Sequence, residues 1–361
     1  MFATLTSHKK DPPLNFASDN TTGASPEILD AICRANDGQT MPYGDDAYTA
    51  RAGDRIRDIF ETDADVFLVA TGSAANALAL STMTHSYGAI LCHWLSHIYE
   101  DECGAPEFYS GGAKLIPLDG DGAKIDPAGL RKYASRGAGD VHMVQPMAAS
   151  VTQLTEMGTV YSPDEVGSLS EICKSNSLKL HMDGARFANA LVTQNCSPAE
   201  LTWKSGIDVL SFGASKNGAL TSEAVVFFDK SMAREFEFRR KRGGHLFSKM
   251  RLLACQMEAY LADDLWLTNA RHANAMAQRL KNGLLEFTGI EMPEGNDANM
   301  LFPRMVPDLT KALHADGFNF YDDRWGNDIV RLVTAFNTTP EQVDKFINAV
   351  HRHTGTLDGA Q

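Results

Sequence analysis

Two runs of this sequence decide its fold: Leu178-Lys179-Leu180-His181-Met182-Asp183-Gly184-Ala185-Arg186 and Val209-Leu210-Ser211-Phe212-Gly213-Ala214-Ser215-Lys216. In the first run, Leu178, Leu180 and Met182 alternate with polar residues, which is typical of a short strand. The second run begins as an apolar strand and breaks into a turn of small residues. Open α/β sheets place their ligand chemistry at the carboxyl ends of strands, so Asp183 and Lys216 are predicted to meet at one sheet edge.

An acid and an amine at one sheet edge suit the chemistry of pyridoxal phosphate. A lysine amine holds the cofactor aldehyde as a Schiff base, and a carboxylate keeps the ring nitrogen protonated so that the ring can accept electrons. Each residue by itself has a simpler interpretation. Asp183 alone would cap a turn, and Lys216 alone would be a solvated surface lysine.

The arrangement resembles a known family. His181–Arg186 together with Ser211–Lys216 resembles the threonine aldolases, which are pyridoxal phosphate enzymes of the aspartate aminotransferase fold, fold type I. The resemblance extends from about Asn15 to Phe336. It implies an α/β fold with a large cofactor-binding domain built on a mostly parallel sheet and a small C-terminal α+β domain. The expected division is a flexible segment at 1–14, the large domain at 15–255 and the small domain at 256–361.

Composition excludes several classes of function. The chain has 361 residues and a net charge of −13, and its basic cluster is Arg239–Arg242, so we expect no nucleic-acid partner. The six cysteines lack CxxC spacing and paired histidine ligands, which predicts reduced thiols in a cytoplasm and no metal site. No apolar stretch approaches the roughly 20 residues that span a bilayer, so we expect no membrane partner.

A candidate phosphate site follows the apolar strand Val66–Ala70. Thr71-Gly72-Ser73 comes next, and Ala74–Leu80 is a helix-forming run. The free N–H groups and the dipole at a helix start favour a phosphate, and the hydroxyls add donors. From the residues alone, a capped helix with no ligand is the alternative. The resemblance favours the phosphate.

The resemblance also implies two residues that handle protons. After the strand Ala89–Cys92, His97 stands where the family has a histidine that stacks on the cofactor ring, and Glu102 stands where it has an acid beside the site. A histidine with a pKa near ~6.5 can exchange protons with substrate. A satisfied structural histidine is the simpler alternative for His97.

A loop after the predicted strand Val141–Val144 departs from the family pattern. Many threonine aldolases carry a histidine in this loop, and Gln153 is taken to stand in its place. Glutamine cannot act as a general base, so the substitution predicts a different route for the hydroxyl proton.

The resemblance further implies how substrate and cofactor are gripped. Ser18 and Arg331 are expected to bind the substrate carboxylate, and Tyr43 to reach a neighbouring subunit's site. Arg186 is expected to hold the phenolic oxygen of the cofactor. Arg242, Lys249 and Arg251 are candidates for the phosphate, and the interpretation favours Lys249 and Arg251. These last expectations lead to a homodimer or homotetramer with shared active sites.

The remaining pattern predicts helices and strands around these residues. Helix starts are marked by Pro26, by the capping box Ser162-Pro163-Asp164-Glu165 and by Thr339-Pro340-Glu341-Gln342. A basic helical region is predicted at 239–251 and a long helical stretch at 257–287. Small-domain strands are predicted at 298–302 and 329–334, another large-domain strand at 224–228, and disorder at 355–361.

The predicted function is cleavage of β-hydroxy-α-amino acids to glycine and an aldehyde by retro-aldol chemistry, with threonine giving acetaldehyde. A β-eliminating lyase or an aminotransferase on the same scaffold is the first alternative, because cofactor residues do not choose the reaction. A nicotinamide-dependent oxidoreductase is the second. It is disfavoured because Ala70–Ala75 lacks GxGxxG and no ribose-binding acid follows convincingly.

Overall fold

The computed structural model describes residues 14–293 and 295–357, without the side chains of 355–357. Residues 1–13 of the predicted flexible segment lie outside the described residues. The strands of the described chain are β1 (Leu14–Asn15), β2 (Asp65–Val69), β3 (Gly88–His93), β4 (Lys114–Leu118), β5 (Gln145–Thr152), β6 (Lys179–Gly184), β7 (Val209–Gly213), β8 (Glu223–Phe227), β9 (Met300–Leu301), β10 (Phe318–Asn319) and β11 (Leu332–Val333).

The α-helices lie between these strands and beyond them. They are α1 (Pro26–Ala35), α2 (Ala47–Phe60), α3 (Gly72–Met83), α4 (His97–Glu100), α5 (Ala105–Ser110), α6 (Pro127–Ala134), α7 (Pro163–Ser175), α8 (Phe187–Gln194), α9 (Ala233–Arg242), α10 (Arg251–Tyr260), α11 (Leu265–Leu284), α12 (Pro307–Ala315) and α13 (Pro340–Leu357).

A central sheet of β2 to β8 organises the described chain, in the order β2-β8-β7-β6-β5-β3-β4. Neighbours among β3, β4, β5, β6 and β7 are parallel, whereas β8 runs antiparallel to both β2 and β7. The mostly parallel sheet predicted from the sequence is therefore confirmed. Asp183 lies opposite Ser211 in the register of β6 and β7, so the two strands end beside each other.

Both faces of this sheet are covered, because successive side chains of a strand point to opposite sides. On β6, Leu180 and Met182 join the core on the face that carries α2, α7, α8 and α10. The opposite face packs against α3 and α9 through residues such as Leu78 and Phe236. His181 and Asp183 alternate with Leu180 and Met182, so they lie on the α3 side.

Local sequence explains where several helices begin. Ser162 and Glu165 form the predicted capping box at the start of α7, each side chain bonded to the other's backbone N–H. Thr339 and Gln342 make the same reciprocal pair at α13. Helix α1 begins at Pro26 as predicted, although the Ser25 side chain does not cap it and instead accepts a hydrogen bond from Asn269.

A second core gathers the C-terminal elements around Phe346, and Phe16 from the start of the described chain packs into it. Helix α11 bridges the two cores. Its Trp266 and Ala270 pack with the sheet core, and its Ala277 and Leu280 pack with the second. The change of core thus occurs within α11, and the boundary expected after residue 255 stays a prediction.

Several sequence-based expectations about elements were wrong. Val141–Val144 is a turn rather than a strand, with Val141 94% exposed, and β5 begins only at Gln145. Gln145 explains the late start, because its side-chain amide donates to the carbonyls of Gly137, Asp140 and Met143 and so stabilises the turn that precedes β5.

Two helical stretches are also interrupted. The region 239–251 breaks after α9, and residues 243–250 form a loop before α10. The stretch 257–287 breaks at Asp263 and Asp264, both with positive φ, before α11. The predicted strands at 298–302 and 329–334 shorten to β9 and β11, which pair antiparallel.

At the chain ends, Leu14 pairs with Phe318, and α13 continues to Leu357, inside the segment expected to be disordered. Residues 358–361 lie outside the described ranges. Within residues 14–293 and 295–357, none of the helices has both the length and the apolar composition needed to cross a bilayer.

Candidate active site

A cavity of about 300 Å³ opens at the carboxyl ends of β2, β6 and β7. Its lining includes these predicted residues: Thr71, Gly72, Ser73, His97, Asp183 and Lys216. A larger groove of about 760 Å³ lies among α1, α2, α10 and α11, but it contains none of the predicted residues and carries ion-paired side chains such as Arg51 and Glu258. We therefore place the candidate site in the smaller cavity.

Lys216 lies in a short 3₁₀ turn, Ser215–Asn217, directly after β7. Asn217 anchors this turn by donating to the Tyr260 hydroxyl and to the Trp266 carbonyl, each at 2.8 Å. Within the described residues, the Lys216 amine makes no hydrogen bond or ion pair. The turn is thus fixed by its neighbours, and its amine remains available to a ligand.

Asp183 is held by two donors at the end of β6. Its Oδ2 accepts a hydrogen bond from Asn76 Nδ2 at 2.8 Å, and its Oδ1 accepts one from the Ala185 N–H at 3.0 Å. Asn76 reaches it from α3, which covers this face of the sheet. The carboxylate is only 4% exposed, so its orientation is fixed by these contacts.

The same amide connects Asp183 to a second acid. Asn76 Nδ2 also donates to Glu102 Oε1 at 2.9 Å, and His97 Nδ1 lies 2.9 Å from that oxygen. Glu102 Oε1 accepts from Asn76, so it is an acceptor for the His97 N–H as well, and His97 Nε2 is left to exchange a proton. The chain Asp183–Asn76–Glu102–His97 therefore joins two predicted carboxylates and the predicted imidazole.

Burial and charge perturb both members of the His97–Glu102 pair. Burial alone would lower the pKa of His97, but the hydrogen bond that His97 donates to Glu102 and the charges of Asp183 and Glu156 raise it above its ordinary value. Burial is the main cause that raises the pKa of Glu102, and the charge of Asp183 adds to it. Perturbed titratable groups in a cavity are typical of functional sites.

His181 lies on the same face of β6 as Asp183. Its Nδ1 is 2.9 Å from the Ser150 hydroxyl and its Nε2 is 2.9 Å from the Ser211 hydroxyl. Burial lowers the pKa of His181 to about 4, so the imidazole is neutral at neutral pH. His181 therefore does not form an ion pair with Asp183 at neutral pH.

The loop at the start of α3 has the form predicted for a phosphate site. Thr71 is the N-cap, and its Oγ1 accepts from the Ala74 N–H at 3.2 Å, which leaves the hydroxyl hydrogen free to donate. A Cβ at Gly72 would meet no atom within 4 Å, so the space in front of the helix start is open. The preceding Ala70 is clamped, since its carbonyl accepts from Thr221 at 2.6 Å and its N–H donates to His245 at 3.3 Å.

Arg186 is buried and commits two nitrogens to Asp19. Its Nε lies 2.7 Å from Asp19 Oδ2 and its Nη2 lies 2.8 Å from Oδ1, and Asn299 donates to the same carboxylate at 3.2 Å. Burial would raise the pKa of Asp19, but the charge and hydrogen bonds of Arg186, together with the charge of Lys216, hold it below its ordinary value. Nη1 is the remaining nitrogen of Arg186 for a ligand.

Arg331 is bound to the residue next to Ser18 in the sequence. Arg331 Nη2 donates to the carbonyl of Ala17 at 3.0 Å, and its guanidinium lies 4.9 Å from the Tyr321 ring centroid and 5.3 Å from that of Trp325. Its Nε is buried without a partner among the described residues. Ser18 Oγ accepts from the Asn20 N–H at 3.1 Å.

Several predicted residues are not among those that line the cavity, and Tyr43, Lys249 and Arg251 are three of them. Tyr43 is 49% exposed, with the Lys241 amine 4.5 Å from its ring centroid. Arg251 donates to the carbonyls of Asp37 and Gly38, and Lys249 is exposed. Among the described residues that line the cavity, Lys216 is the one lysine or arginine.

Gln153, which was expected to stand in a catalytic position, is not among the residues that line the cavity. It is fully buried, its Nε2 donates to the Tyr161 carbonyl at 2.8 Å and its Oε1 accepts from the Tyr161 N–H at 3.0 Å. It therefore ties two backbone segments together. The residue of this loop that lines the cavity is Glu156, three positions further along.

Among the polar residues of this region that sequence reasoning did not single out are Asp19, Asn76, Glu156 and Glu223. Asp19 and Asn76 contact predicted residues, while Glu156 and Glu223 line the cavity. A local signal existed for Asn76, because a polar residue interrupts the apolar run Ala74–Leu80. The other three depend on long-range packing, which sequence spacing does not reveal.

Known proteins that resemble this chain agree with the family indicated by the sequence and the cavity. The model of the beta-eliminating lyase family matches residues 15–306. A low specificity L-threonine aldolase of a Pseudomonas species is 45% identical over 86% of this chain and 90% of its own.

Solved structures agree. The threonine aldolase of Leishmania major superimposes with a TM-score of 0.89 at 30% identity, covering 95% of this chain and all of its own. The N-succinyldiaminopimelate aminotransferase of Mycobacterium tuberculosis shares the fold, with a TM-score of 0.72 at 17% identity over 94% of this chain and 92% of its own. The α/β fold-type-I architecture predicted from the sequence is therefore confirmed, and the chain belongs to the beta-eliminating lyase family.

Proposed function

We propose that this protein is a carbon–carbon lyase that cleaves L-threonine, L-allo-threonine and related β-hydroxy-α-amino acids, such as phenylserine, to glycine and an aldehyde. The observation that carries the proposal is the 45% identity with a low specificity L-threonine aldolase over 90% of that relative. Lys216 and Asp183 line one cavity, which places an amine and an acid in the same site and supports the proposal.

Pyridoxal 5'-phosphate is the cofactor of this family, and the residues present fit it. The Lys216 amine, which has no partner in the described chain, would bind its aldehyde, and Asp183 would hold a proton at its ring nitrogen. The open N-terminus of α3 with Thr71 and Ser73 would take its phosphate. When bound, the cofactor accepts the electron pair left on Cα as the Cα–Cβ bond breaks.

His97 and Glu102 are the proposed proton carriers. Breaking Cα–Cβ requires that a base remove the proton of the β-hydroxyl. Because His97 Nδ1 is bound to Glu102, its Nε2 is the atom that would take this proton. Burial lowers the pKa of His97, and the hydrogen bond to Glu102 is the largest cause that raises it. Glu156 lines the same cavity, and its charge raises the pKa of His97 further.

Arg331 and Ser18 are the proposed carboxylate grip. The buried Nε of Arg331 has no hydrogen-bond acceptor among the described residues, so it could donate to a substrate carboxylate. The guanidinium is held in place by the Ala17 carbonyl and two aromatic rings. A fixed carboxylate decides which bond at Cα stands perpendicular to the cofactor plane, and so which bond breaks. Nη1 of Arg186 would hold the phenolic oxygen.

A homodimer or homotetramer with shared sites, in a cytoplasm, completes the proposal. The positions of Tyr43, Lys249 and Arg251 outside their own cavity support a contribution to a second copy's cavity. The six cysteines are unpaired, which suits a reducing compartment.

Product analysis tests the reaction. Purified enzyme incubated with pyridoxal phosphate and L-threonine, L-allo-threonine or phenylserine should release glycine together with acetaldehyde or benzaldehyde in equal amounts. Formation of a keto acid with ammonia would contradict the aldol cleavage and favour elimination. A keto acid formed only when an amino-group acceptor is present would favour transamination.

A further inference from the structure

Glu223 is a buried acid that the proposed chemistry does not use. It is the first residue of β8 and pairs with Val69 of β2 on one side and with Gly213 of β7 on the other. Strand β2 leads into the proposed phosphate loop, and β7 leads into the turn that carries Lys216. Glu223 therefore lies between the two strand ends that build the floor of the cavity, and it lines that cavity.

The Glu223 carboxylate binds the backbone that precedes Lys216. Its Oε2 accepts from the Ala214 N–H at 2.9 Å, and its Oε1 faces the Ser215 N–H at 3.4 Å. Ser215 is also held by the residue that precedes β8, because its Oγ accepts from the Ser222 N–H at 3.3 Å. These contacts fix the path of the chain over the two residues before Lys216.

The charge of Glu223 is otherwise uncompensated. The carboxylate is 6% exposed and has no ion-pair partner among residues 14–293 and 295–357. The titratable groups that interact with it are Lys216, from the turn, and Tyr260, from α10. Glu156, Asp183 and His97 share the cavity, and Asp183 is committed to Asn76 and Ala185.

Burial without a full partner is unfavourable for a carboxylate. It raises the pKa of Glu223 to about 7, although the hydrogen bonds of Ser215 and Ala214 and the charge of Lys216 oppose the shift. Glu223 therefore takes up or releases its proton near neutral pH. When it is ionised, its charge interacts with Lys216.

We infer that Glu223 is a positioning residue for Lys216: its carboxylate fixes the Ala214–Ser215 turn and its negative charge favours the protonated form of the Lys216 nitrogen. The inference rests on the proposed function only in that Lys216 is the residue that binds the cofactor. Through this charge, Glu223 sets the pH at which the nitrogen that joins Lys216 to the cofactor loses its proton.

The test is a pH titration of the visible absorbance of the cofactor-loaded enzyme without substrate. Three variants are compared with wild type. Glu223→Gln keeps an oxygen that accepts from the Ala214 N–H but removes the charge, and Glu223→Asp keeps the charge on a shorter side chain. Glu258→Gln makes the same chemical change at a glutamate outside the cavity, bound to Arg51, and serves as the control.

We expect Glu223→Gln to move the absorbance transition to lower pH by about one unit, because loss of a nearby negative charge disfavours the cationic nitrogen. Glu223→Asp should stay closer to wild type than Glu223→Gln, and Glu258→Gln should match wild type. If Glu223→Gln titrates as wild type does while Glu223→Asp is perturbed, Glu223 acts only through its hydrogen bonds and the inference is overturned.

The wild-type enzyme separates this inference from the proposed function. If its cofactor band titrates and Glu223→Gln does not shift the transition, only the role of Glu223 fails. If the wild-type protein shows no visible band with pyridoxal phosphate, the proposed cofactor site fails and the role of Glu223 fails with it. Should Glu223→Gln fold poorly, a transition in Glu223→Asp that follows the wild type supports the charge, and a downward shift of a unit or more contradicts it.

Discussion

Asn76 donates a hydrogen bond of 2.8 Å to Asp183, and the same amide nitrogen donates to Glu102. Two buried carboxylates of the cavity are thus held apart by one neutral donor rather than by a cation. Two nearby carboxylates disfavour each other's ionised forms. The shared Asn76 amide offsets this repulsion by donating a hydrogen bond to each of them.

Asn76 should therefore be sensitive to a change of charge. Asn76→Asp adds a third acid between Asp183 and Glu102 and removes their shared donor, and we expect a loss of kcat/KM of at least about 100-fold, equivalent to roughly 3 kcal/mol. Steady-state assays with L-threonine measure it. Thr82→Ala, on the same helix but bonded only to the Leu78 carbonyl, should leave kcat/KM unchanged. Equal effects of the two changes would exclude a role for the amide.

Lys216 is expected to carry the cofactor covalently. Lys216→Ala should abolish the visible absorbance of the loaded enzyme and its turnover, while the far-UV circular dichroism spectrum remains that of the wild type. Borohydride reduction of the loaded wild type, followed by peptide mapping, should mark Lys216. Lys204→Ala, which removes a surface lysine paired with Glu61, should still be marked at Lys216. A label on another lysine would refute the assignment.

Sequence reasoning located the residues that follow directly from strand ends. Asp183, Lys216 and the Thr71–Ser73 loop end or follow apolar strands, and the parallel sheet brings these ends together. Helix starts were also readable, because a capping box such as Ser162 with Glu165 involves only neighbours in sequence. Local chemistry thus determined these features.

The remaining features depend on packing between distant segments. Val141–Val144 is apolar, yet the Gln145 amide closes a turn there before the strand begins. Gln153 and Glu156 lie in one loop, and only the fold decides that the first side chain turns inward to Tyr161 and the second faces the cavity. Glu223 acts on Lys216 across two strands, a relation that no spacing in the sequence reveals.

The buried pair of Asp19 and Arg186 should contribute strongly to stability. Removing one partner of such a pair leaves the other charge buried and uncompensated, which costs about 3–5 kcal/mol. We expect Asp19→Asn to lower the free energy of unfolding by this amount at pH 7, measured by urea denaturation. Asp344→Asn, which removes the exposed partner of Arg279, should have little effect.

The pH dependence of this contribution has a definite sign. The pKa of Asp19 is held below its ordinary value in the folded protein, so the unfolded state binds more protons as the solution is acidified. The stabilisation is complete above the pKa of the unfolded carboxyl and is lost as the pH falls through the lower pKa of the folded state. The difference between wild type and Asp19→Asn should therefore shrink below about pH 4. A constant difference would contradict the ion pair.

The last prediction separates His97 from Gln153. If His97 takes the hydroxyl proton, kcat should fall as the pH drops through its pKa, which lies above the ordinary value, because the protonated ring cannot act as a base. His97→Asn should lower kcat by about 100-fold to 10,000-fold and remove this acidic limb of the pH profile.

Gln153→Ala should act on stability instead. It leaves the N–H and carbonyl of Tyr161 unpaired in a buried place, so we expect a loss of about 2–4 kcal/mol, seen as a lower melting temperature, with kcat and its pH profile close to wild type. Glu156→Gln, in the same loop but at a residue that lines the cavity, should have the opposite effects. It should lower the pKa of His97, because one nearby negative charge is removed, and it should change the melting temperature only slightly. The opposite result would be a pH profile that changes in Gln153→Ala but not in Glu156→Gln or His97→Asn. Gln153 would then be the residue that guides transfer of the hydroxyl proton. Its side chain, which points inward in this structure, would have to reorient when substrate binds.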